Sequence, residues 1–141
     1  MSPHRIEFDR NGDLWVISRG FKNGLQERKG RLSLVQNDEV SLSLPVPAGA
    51  GNLVINRDKN RLFYTMQGGV YEHQINQSVL SQVPFINFPY TTLGLDPLTD
   101  WIFASDAINF QSNGQVSVYN TGGQEVNVFT AGVVPIEFWF Q

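Results

Sequence analysis

The stretch RIEFDRNGDLWVI, residues 5–17, carries the pattern that decides the fold of this chain. A short apolar run leads into a polar turn of Asp, Asn and Gly, and a second apolar run with an aromatic residue follows. Because Asp, Asn and Gly favour the backbone geometry of tight turns, the stretch predicts two antiparallel strands. The same plan returns in NLVINRDKNRLFYT, residues 52–65, and in TLGLDPLTDWIFAS, residues 92–105.

Each copy continues, after a loop of variable length, with two more apolar runs. The predicted third strands each begin with Gly and are GRLSLV (30–35), GVYEHQ (69–74) and GQVSVYN (114–120). The predicted fourth strands are VSLSL (40–44), VLSQV (79–83) and EVNVFT (125–130). The period is 40 to 47 residues, as marked by Ile6, Leu53, Leu93 and Ile136. Four antiparallel strands at this period are typical of a β-propeller blade, whereas a two-sheet sandwich would not need a repeat in phase.

We therefore predict an all-β fold with three four-stranded blades, at residues 3–44, 50–85 and 91–131, and one extra strand at residues 134–140. That strand repeats the Ile-Glu-Phe of the first blade. In closed propellers, a spare terminal strand completes the blade at the other end of the chain. Because three blades also fall short of the usual four to eight, we expect the C-terminal part of a larger propeller. A chain that assembles with copies of itself is the alternative.

The composition argues against several classes of function. The chain has 141 residues, a net charge of −3, no Cys and no apolar run of membrane-spanning length. Without Cys there are no disulfides, thiolate nucleophiles or Cys-based zinc sites. Without a basic cluster, a nucleic-acid partner has no electrostatic support. The first residues do not resemble a signal peptide, so an exported protein would need a targeting segment outside this sequence.

The sequence predicts neither catalytic residues nor a metal site. His4 and His73 are the only two histidines, and His73 is expected at the surface of an outer strand. Metal sites usually need more ligands at suitable spacing, and no Gly-x-Ser-x-Gly motif is present. We accordingly predict a protein that is not an enzyme and has no cofactor. Five aspartates lie in predicted turns, where they are expected to accept hydrogen bonds from nearby backbone amides: Asp9, Asp13, Asp58, Asp96 and Asp100.

The loops between second and third strands are the best candidates for a binding site, because repeat folds place binding residues on loops of a rigid scaffold. These loops differ in length and cover residues 18–29, 66–68 and 105–113. Aromatic plates beside amide and guanidinium donors suit a large ligand of mixed polarity. The predicted ligand contacts, in these loops and in the links that lead into inner strands, are Arg19, Phe21, Asn23, Asn52, Tyr90, Asp106, Asn109 and Phe110.

The same residues also have structural explanations. Phe21 and Phe110 would pin their loops onto a blade, and Asp106 would hold the backbone amides of the loop that follows it. If the protein captures a ligand, one concavity should contain the side chains of Arg19, Phe21, Tyr90 and Phe110. If it is a scaffold, these side chains should be scattered or packed flat. Aromatic residues at equivalent second-strand positions are expected to pack between blades: Trp15, Phe63 and Phe103.

The last third of the chain resembles the final blade of a known family. Its markers are Asp96-Pro97, Ser105-Asp106-Ala107, Asn113-Gly114, Val118-Tyr119, Gly132 with Pro135, and Phe138 with Phe140. They resemble the YncE-like, surface-layer-type β-propellers of Bacteroidetes, the family of the domain of unknown function 5074. This resemblance implies a seven-bladed propeller exported to the cell envelope, surface-exposed or periplasmic, often as a lipoprotein. After Pro135 the family tends to have Gly-His, and this chain has Ile136-Glu137 instead.

Some members of that family capture vitamin B12 for an outer-membrane transporter. The resemblance therefore implies a non-enzymatic envelope protein that binds a ligand through loops on one face, with a corrinoid such as cobalamin as the most specific candidate. Its expected partners are propeller blades outside this sequence, or another copy of the chain, and a transporter. Two alternatives stay open: a structural surface-layer or adhesion scaffold, and a portion of a propeller enzyme with catalytic residues on other blades.

Overall fold

The computed structural model describes residues 2–106, 113–133 and 135–141. Within these ranges the chain folds into antiparallel β-strands, and no helix there has the length and apolarity needed to cross a membrane. The strands are β1 (Ser2–Phe8), β2 (Leu14–Arg19), β3 (Phe21–Asn23), β4 (Gln26–Arg28), β5 (Gly30–Gln36), β6 (Glu39–Val46), β7 (Gly51–Ile55), β8 (Arg61–Met66), β9 (Gly69–Gln74), β10 (Thr92–Leu95), β11 (Ile102–Asp106), β12 (Asn113–Tyr119) and β13 (Glu125–Val133).

The strands form three sheets, which follow one another in chain order, and one small hairpin. The first sheet has the order β1-β2-β5-β6, the second β7-β8-β9 and the third β10-β11-β12-β13. Strands β3 and β4 pair with each other in a separate hairpin. The first and third sheets confirm the predicted all-β fold with four-stranded antiparallel sheets.

The second sheet has three strands, so the predicted fourth strand over residues 79–83 is wrong. Ser81 Oγ donates a hydrogen bond to the carbonyl oxygen of Val83 (2.8 Å) and accepts one from its amide (3.1 Å). Such local bonds compete with strand pairing, and Pro84 has no amide hydrogen to donate. The free edge of β9 is instead met farther along the chain by Ile86, in an isolated bridge to Val70.

The predicted loop over residues 18–29 contains the β3–β4 hairpin. Gly24 at its tip has a φ of 58°, a left-handed conformation that glycine adopts without steric cost. At the base of the hairpin, a Cβ on Gly20 would collide with the carbonyl oxygen of Arg28, and a Cβ on Gly30 with that of Ser18. The two glycines therefore allow the base of the hairpin to close directly after β2.

The turn after β1 is organised by Asp9, as predicted. Its Oδ1 accepts hydrogen bonds from the backbone amides of Asn11 (2.8 Å) and Asp13 (3.1 Å). Its Oδ2 accepts one from Nε1 of Trp15 (3.1 Å), which fixes the indole at the start of β2. Asp96 likewise accepts two hydrogen bonds within the equivalent turn after β10.

Adjacent turns are also bonded to each other. The amide of Arg10 donates to the carbonyl oxygen of Lys59 (3.0 Å), and the amide of Arg57 donates to Oδ1 of Asp100 (2.6 Å). Each bond joins one sheet to the next at the same position of the repeat. Asp100 thus links two sheets, whereas we predicted that it would act within its own turn.

Two apolar clusters fill the spaces between the sheets. The buried residues between the first and second sheets include Trp15, Ile17, Leu32, Leu62 and Tyr64. Those between the second and third sheets include Phe63, Val70, Leu93, Ile102 and Tyr119. The predicted packing of Trp15 and Phe63 between blades is therefore confirmed.

His73 is buried, so its predicted position at the surface is wrong. On β9 it pairs with Leu62 of β8, and its ring packs edge-on against Trp15 with centroids 5.2 Å apart. Neither ring nitrogen has a hydrogen-bond partner. Burial lowers the pKa of His73. The backbone of Gln77 lies beside the ring without a hydrogen bond to it and acts in the opposite direction. The imidazole is therefore neutral in the fold at pH 7.

The predicted closing strand over residues 134–140 is not present as a strand. Residue 134 lies outside the described residues, and residues 135–141 have no strand pairing. The segment instead lies against β11 of the third sheet, where Ser105 Oγ donates a hydrogen bond to the carbonyl oxygen of Pro135 (2.7 Å). Because β10 to β13 already form a complete four-stranded sheet, the segment packs on its face.

Aromatic contacts hold this segment on the outer face of the third sheet, the face that points away from the second sheet. Phe103 contacts Phe138 and Phe140, with ring centroids 6.1 Å and 5.2 Å apart. Gly94 provides the space, since a Cβ there would lie 2.6 Å from Cβ of Phe138. Trp15 and Phe63 each pack against the sheet that follows their own. Phe103 points in the equivalent direction and packs against the end of the chain instead.

Candidate binding site at the β3–β4 hairpin

The β3–β4 hairpin projects from the first sheet and is exposed along its whole length. All six strand residues are exposed, Phe21 is 51% exposed, and Leu25 at the tip is fully exposed. Across the hairpin Lys22 is paired with Glu27, so opposite charges balance on one face. On the other face Phe21 is paired with Arg28, which places an aromatic ring beside a cation.

A surface cavity of about 360 Å³ lies at the base of this hairpin. It is lined by Ser2, Arg19, Gly20, Phe21 and Arg28. We call this cavity the hairpin pocket. Arg19 comes from the end of β2 and Arg28 from the end of β4, and the close backbone approach at Gly20 brings the two together. The pocket therefore has two guanidinium groups and one aromatic ring.

His4 and Arg19 meet beside the hairpin pocket, over the start of β7. The strand register of β1 shifts at His4, between Pro3 and Arg5, and such bulges redirect a side chain. A Cβ on Gly51 would lie 3.0 Å from Cδ2 of His4 and 3.3 Å from Nε of Arg19. Partial burial, and then the charges of Arg19 and Arg5, lower the pKa of His4. The parts due to Arg19 and Arg5 reflect positive charge near the ring.

Within the described residues, the two arginines of the hairpin pocket have no acidic partner. The ion pair found within the described residues joins Arg61 and Glu72, which lie on the second sheet and not at the hairpin. Neither Arg19 nor Arg28 takes part in an ion pair in that portion of the chain. In a chain with a net charge of −3, this makes the hairpin pocket a local concentration of positive charge.

The other predicted contacts of the first two sheets lie outside the hairpin pocket. Asn23 is exposed at the end of β3. Asn52, with a φ of 54°, donates hydrogen bonds through Nδ2 to Thr65 Oγ1 (3.2 Å) and to the carbonyl oxygen of Thr91 (2.7 Å). Its amide therefore joins the second sheet to the link before β10, and its ligand role stays a prediction.

The predicted contacts of the third sheet are not brought to the hairpin pocket either. Tyr90 is buried between the second and third sheets, and its hydroxyl lies 2.6 Å from that of Tyr119. Asp106 ends β11 and is partly buried. Asn109 and Phe110 lie outside the described residues. Of the four side chains expected in one concavity, the structure places Arg19 and Phe21 together and puts Tyr90 elsewhere.

Sequence reasoning missed two members of this region, Arg28 and His4. Arg28 is brought to the pocket by the hairpin that the sequence pattern did not predict. His4 is turned by a register shift that depends on how β1 pairs with β2. The Gly-Phe pair at residues 20 and 21, with Asn23-Gly24 two residues farther on, is the local signal that would have suggested a hairpin.

A second cavity, of about 250 Å³, lies between the inner strands of the three sheets and the end of the chain. Glu7 of β1 and Glu137 both line it. Burial raises the pKa of Glu7 to about 7, while Lys59 and Arg5 act in the opposite direction. Among the residues that the structure describes, no three His, Asp or Glu side chains are grouped so that they could hold a metal ion.

Comparison with known proteins finds similarity at the level of fold. No protein-family model matches the chain, and no curated protein matches it. A crystal structure of a quinonprotein alcohol dehydrogenase-like protein from Bacteroides thetaiotaomicron aligns with a TM-score of 0.72 and 14% identity. The alignment covers 90% of this chain and 33% of that one.

A second solved structure supports the same fold. It is a carbohydrate-active enzyme of family AA12 from Trichoderma reesei, with a TM-score of 0.52 and 18% identity over 84% of this chain and 36% of that chain. The chain thus spans about a third of the length of each of these structures. The similarity confirms antiparallel sheets of the β-propeller type and is consistent with a propeller fragment.

Proposed function

We propose that this chain is part of a larger β-propeller that binds a ligand or partner at the face bearing the β3–β4 hairpin. The proposal describes a non-enzymatic protein of the cell envelope, related to the YncE-like, surface-layer-type propellers. One observation carries it: the hairpin exposes Phe21 and Leu25 to solvent, away from both apolar clusters. An exposed apolar element beside a charged pocket is typical of a binding surface.

A corrinoid is the most specific ligand that we propose, with an outer-membrane transporter as the protein that would receive it. The support comes from the resemblance of the last third of the chain to a family with vitamin B12-capturing members. A corrinoid has a broad apolar ring system with polar amide arms, which fits an aromatic residue beside guanidinium donors. Phe21 and Arg19 supply those two groups in the hairpin pocket.

Equilibrium dialysis with cobalamin, followed by its visible absorbance, tests this proposal. The Phe21→Ala variant should weaken binding at least about tenfold, because exposed aromatic residues in binding surfaces often contribute this much. Phe129→Ala is the matched control, since Phe129 is 43% exposed on β13 of the third sheet and should leave binding within about twofold. Absence of cobalamin binding, or an equal loss in both variants, would contradict the corrinoid proposal.

A structural role in a larger assembly is the second candidate, and a separate observation favours it. Ile6, Leu53 and Leu93 occupy the same position of the repeat, and they are 55%, 2% and 7% exposed. Leu53 and Leu93 are covered by the preceding sheet. We propose that the corresponding face of the first sheet packs against another propeller blade, supplied by a longer chain or by a second copy.

A further inference from the structure

We propose that the hairpin pocket binds an oxyanion carried on an apolar ring, with Arg19 and Arg28 as the charged contacts and His4 beside them. This inference deepens the proposed function, because it assigns a ligand chemistry to the hairpin face. The oxyanion is a phosphate or a carboxylate group, both of which match the planar donor fork of arginine.

The first step of the argument is the convergence of two arginines from different strands. Arg19 at the end of β2 and Arg28 at the end of β4 line one cavity of about 360 Å³. Two like charges beside one cavity repel each other, and an anion between them would relieve that repulsion. Because neither has an ion pair within the described residues, their donors are available to a ligand.

The second step is the distribution of charge on the hairpin. Lys22 and Glu27 are opposite each other and balance one face, while Arg28 is opposite Phe21 and has no counter-charge there. The hairpin therefore presents its one uncompensated cation toward the pocket. Phe21 lines the same cavity and supplies an apolar plate next to that cation.

The third step is the position of His4. Its ring and Nε of Arg19 both lie within 3.3 Å of the point where a Cβ of Gly51 would be. The pKa of His4 is lowered, first by partial burial and then by Arg19 and Arg5. An anion in the pocket would offset the charge of Arg19, so the pKa of His4 should rise when the pocket is occupied.

The binding experiment uses isothermal titration of the whole chain with phenyl phosphate, benzoate and inorganic phosphate. We expect saturable binding of phenyl phosphate or benzoate, and the tighter of the two identifies a phosphate or a carboxylate ligand. Arg19→Gln and Arg28→Gln should each weaken that binding at least about tenfold, as expected for charge-assisted hydrogen bonds. Arg57→Gln removes an exposed arginine from another part of the chain and should change binding less than about twofold.

The ring contact is tested by inorganic phosphate and by Phe21→Ala. Inorganic phosphate should bind more weakly than phenyl phosphate, and Phe21→Ala should remove that difference. If the two phosphates bind equally well to the wild-type chain, the ring part of the proposal is wrong. If neither phenyl phosphate nor benzoate binds saturably, or if Arg57→Gln loses as much affinity as Arg19→Gln, the whole inference is overturned.

An NMR titration of the imidazole protons locates the site. The signal that disappears in His4→Gln belongs to His4, and its pKa should rise when phenyl phosphate or benzoate is present at saturation. Binding without any change in that pKa would place the anion elsewhere and overturn the inference. If these probes fail while cobalamin binding still depends on Phe21, the oxyanion inference falls and the proposed function stands.

Discussion

The two outer faces of the three-sheet stack differ in what covers them. On the third sheet, Phe103 packs against Phe138 and Phe140, so the end of the chain covers the face. On the first sheet, Ile6, Phe8 and Val40 are all more than half exposed, and no described segment covers them. Ile6 and Phe8 on the first face therefore stay in water, whereas Phe103 on the third face is covered.

The repeat explains this difference. Ile6 stands where Leu53 and Leu93 stand in the next two sheets, and those two are buried against the sheet before them. The same kind of residue at the same position is thus buried or exposed according to whether a neighbouring sheet is present. This comparison supports the proposal that the outer face of the first sheet packs against another sheet.

The largest effect is expected from uncovering the third sheet. Replacing Phe138 and Phe140 together with Ala removes the rings that cover Phe103, and should lower the free energy of unfolding by about 2–4 kcal/mol. Urea unfolding followed by fluorescence measures the change. Trp139→Ala is the adjacent control, because Trp139 is 85% exposed and should change stability by less than about 0.5 kcal/mol. Equal effects of the two changes would show that the end of the chain does not cover this face.

A smaller effect is expected from Gly94, which makes room for the covering segment. In Gly94→Ala the new Cβ would lie 2.6 Å from Cβ of Phe138, and the segment must shift. We expect a loss of about 1–3 kcal/mol in urea unfolding, as for other overpacked contacts. Gly132→Ala on β13 is the control, since a Cβ there meets nothing within 4 Å. A harmless Gly94→Ala would contradict the close contact with Phe138.

The interface between the first and second sheets offers a third case, in which the free energy of unfolding depends on pH. Burial lowers the pKa of His73 below its ordinary value of 6.5. The imidazole therefore binds a proton more readily in the unfolded chain than in the folded one. The contribution of His73 to the free energy of unfolding is complete above about pH 6.5 and is lost as the pH falls below that value. The loss should reach at most about 1.4 kcal/mol per pH unit.

His73→Phe isolates this contribution, because Glu7 acts in the opposite direction. The pKa of Glu7 is raised from 4.5 to about 7, so its contribution to stability is lost as the pH rises through that range. The free energy of unfolding of the wild type, minus that of His73→Phe, should become smaller from pH 7 to pH 5. A difference that is constant over this range would mean that His73 does not titrate on unfolding.

The smallest effect on stability is expected on the bare face. Ile6→Ser and Phe8→Ser change residues that are already more than half exposed, so the free energy of unfolding should change by less than about 0.5 kcal/mol each. Both changes should nevertheless reduce self-association, since they remove apolar surface that another sheet would cover. A loss of several kcal/mol in chemical denaturation would mean that these side chains are already packed within this chain.

Local chemistry made the strands and turns predictable. Asp9 and Asp96 both accept hydrogen bonds within their own turns, as predicted. The apolar alternation around Trp15 and Phe63 correctly predicted the packed faces of the sheets. The missing fourth strand of the second sheet depends on Ser81 and Pro84, whose local preferences outweighed an apolar pattern. Apart from this strand, local patterns predicted the strands of the three sheets.

Other parts that sequence reasoning missed are set by contacts between residues on different strands. His73 is buried because Trp15, on another sheet, packs against it. In the site, Arg19 and Phe21 were predicted, but Arg28 and His4 reach the hairpin pocket through a backbone approach at Gly20 and a register shift in β1. Neither feature follows from the alternation of apolar residues along the strands, although Asn23-Gly24 is a local signal for the hairpin.

The most direct test of the bare first-sheet face is the solution mass of the 141-residue chain. If the exposed face pairs with another copy, sedimentation equilibrium should give an average mass that rises with concentration above the 15.9 kDa of one chain. The Ile6→Ser, Phe8→Ser double variant should shift that mass toward one chain. A wild-type chain that stays at 15.9 kDa at every concentration would contradict the proposal that this face pairs with a second copy of the chain.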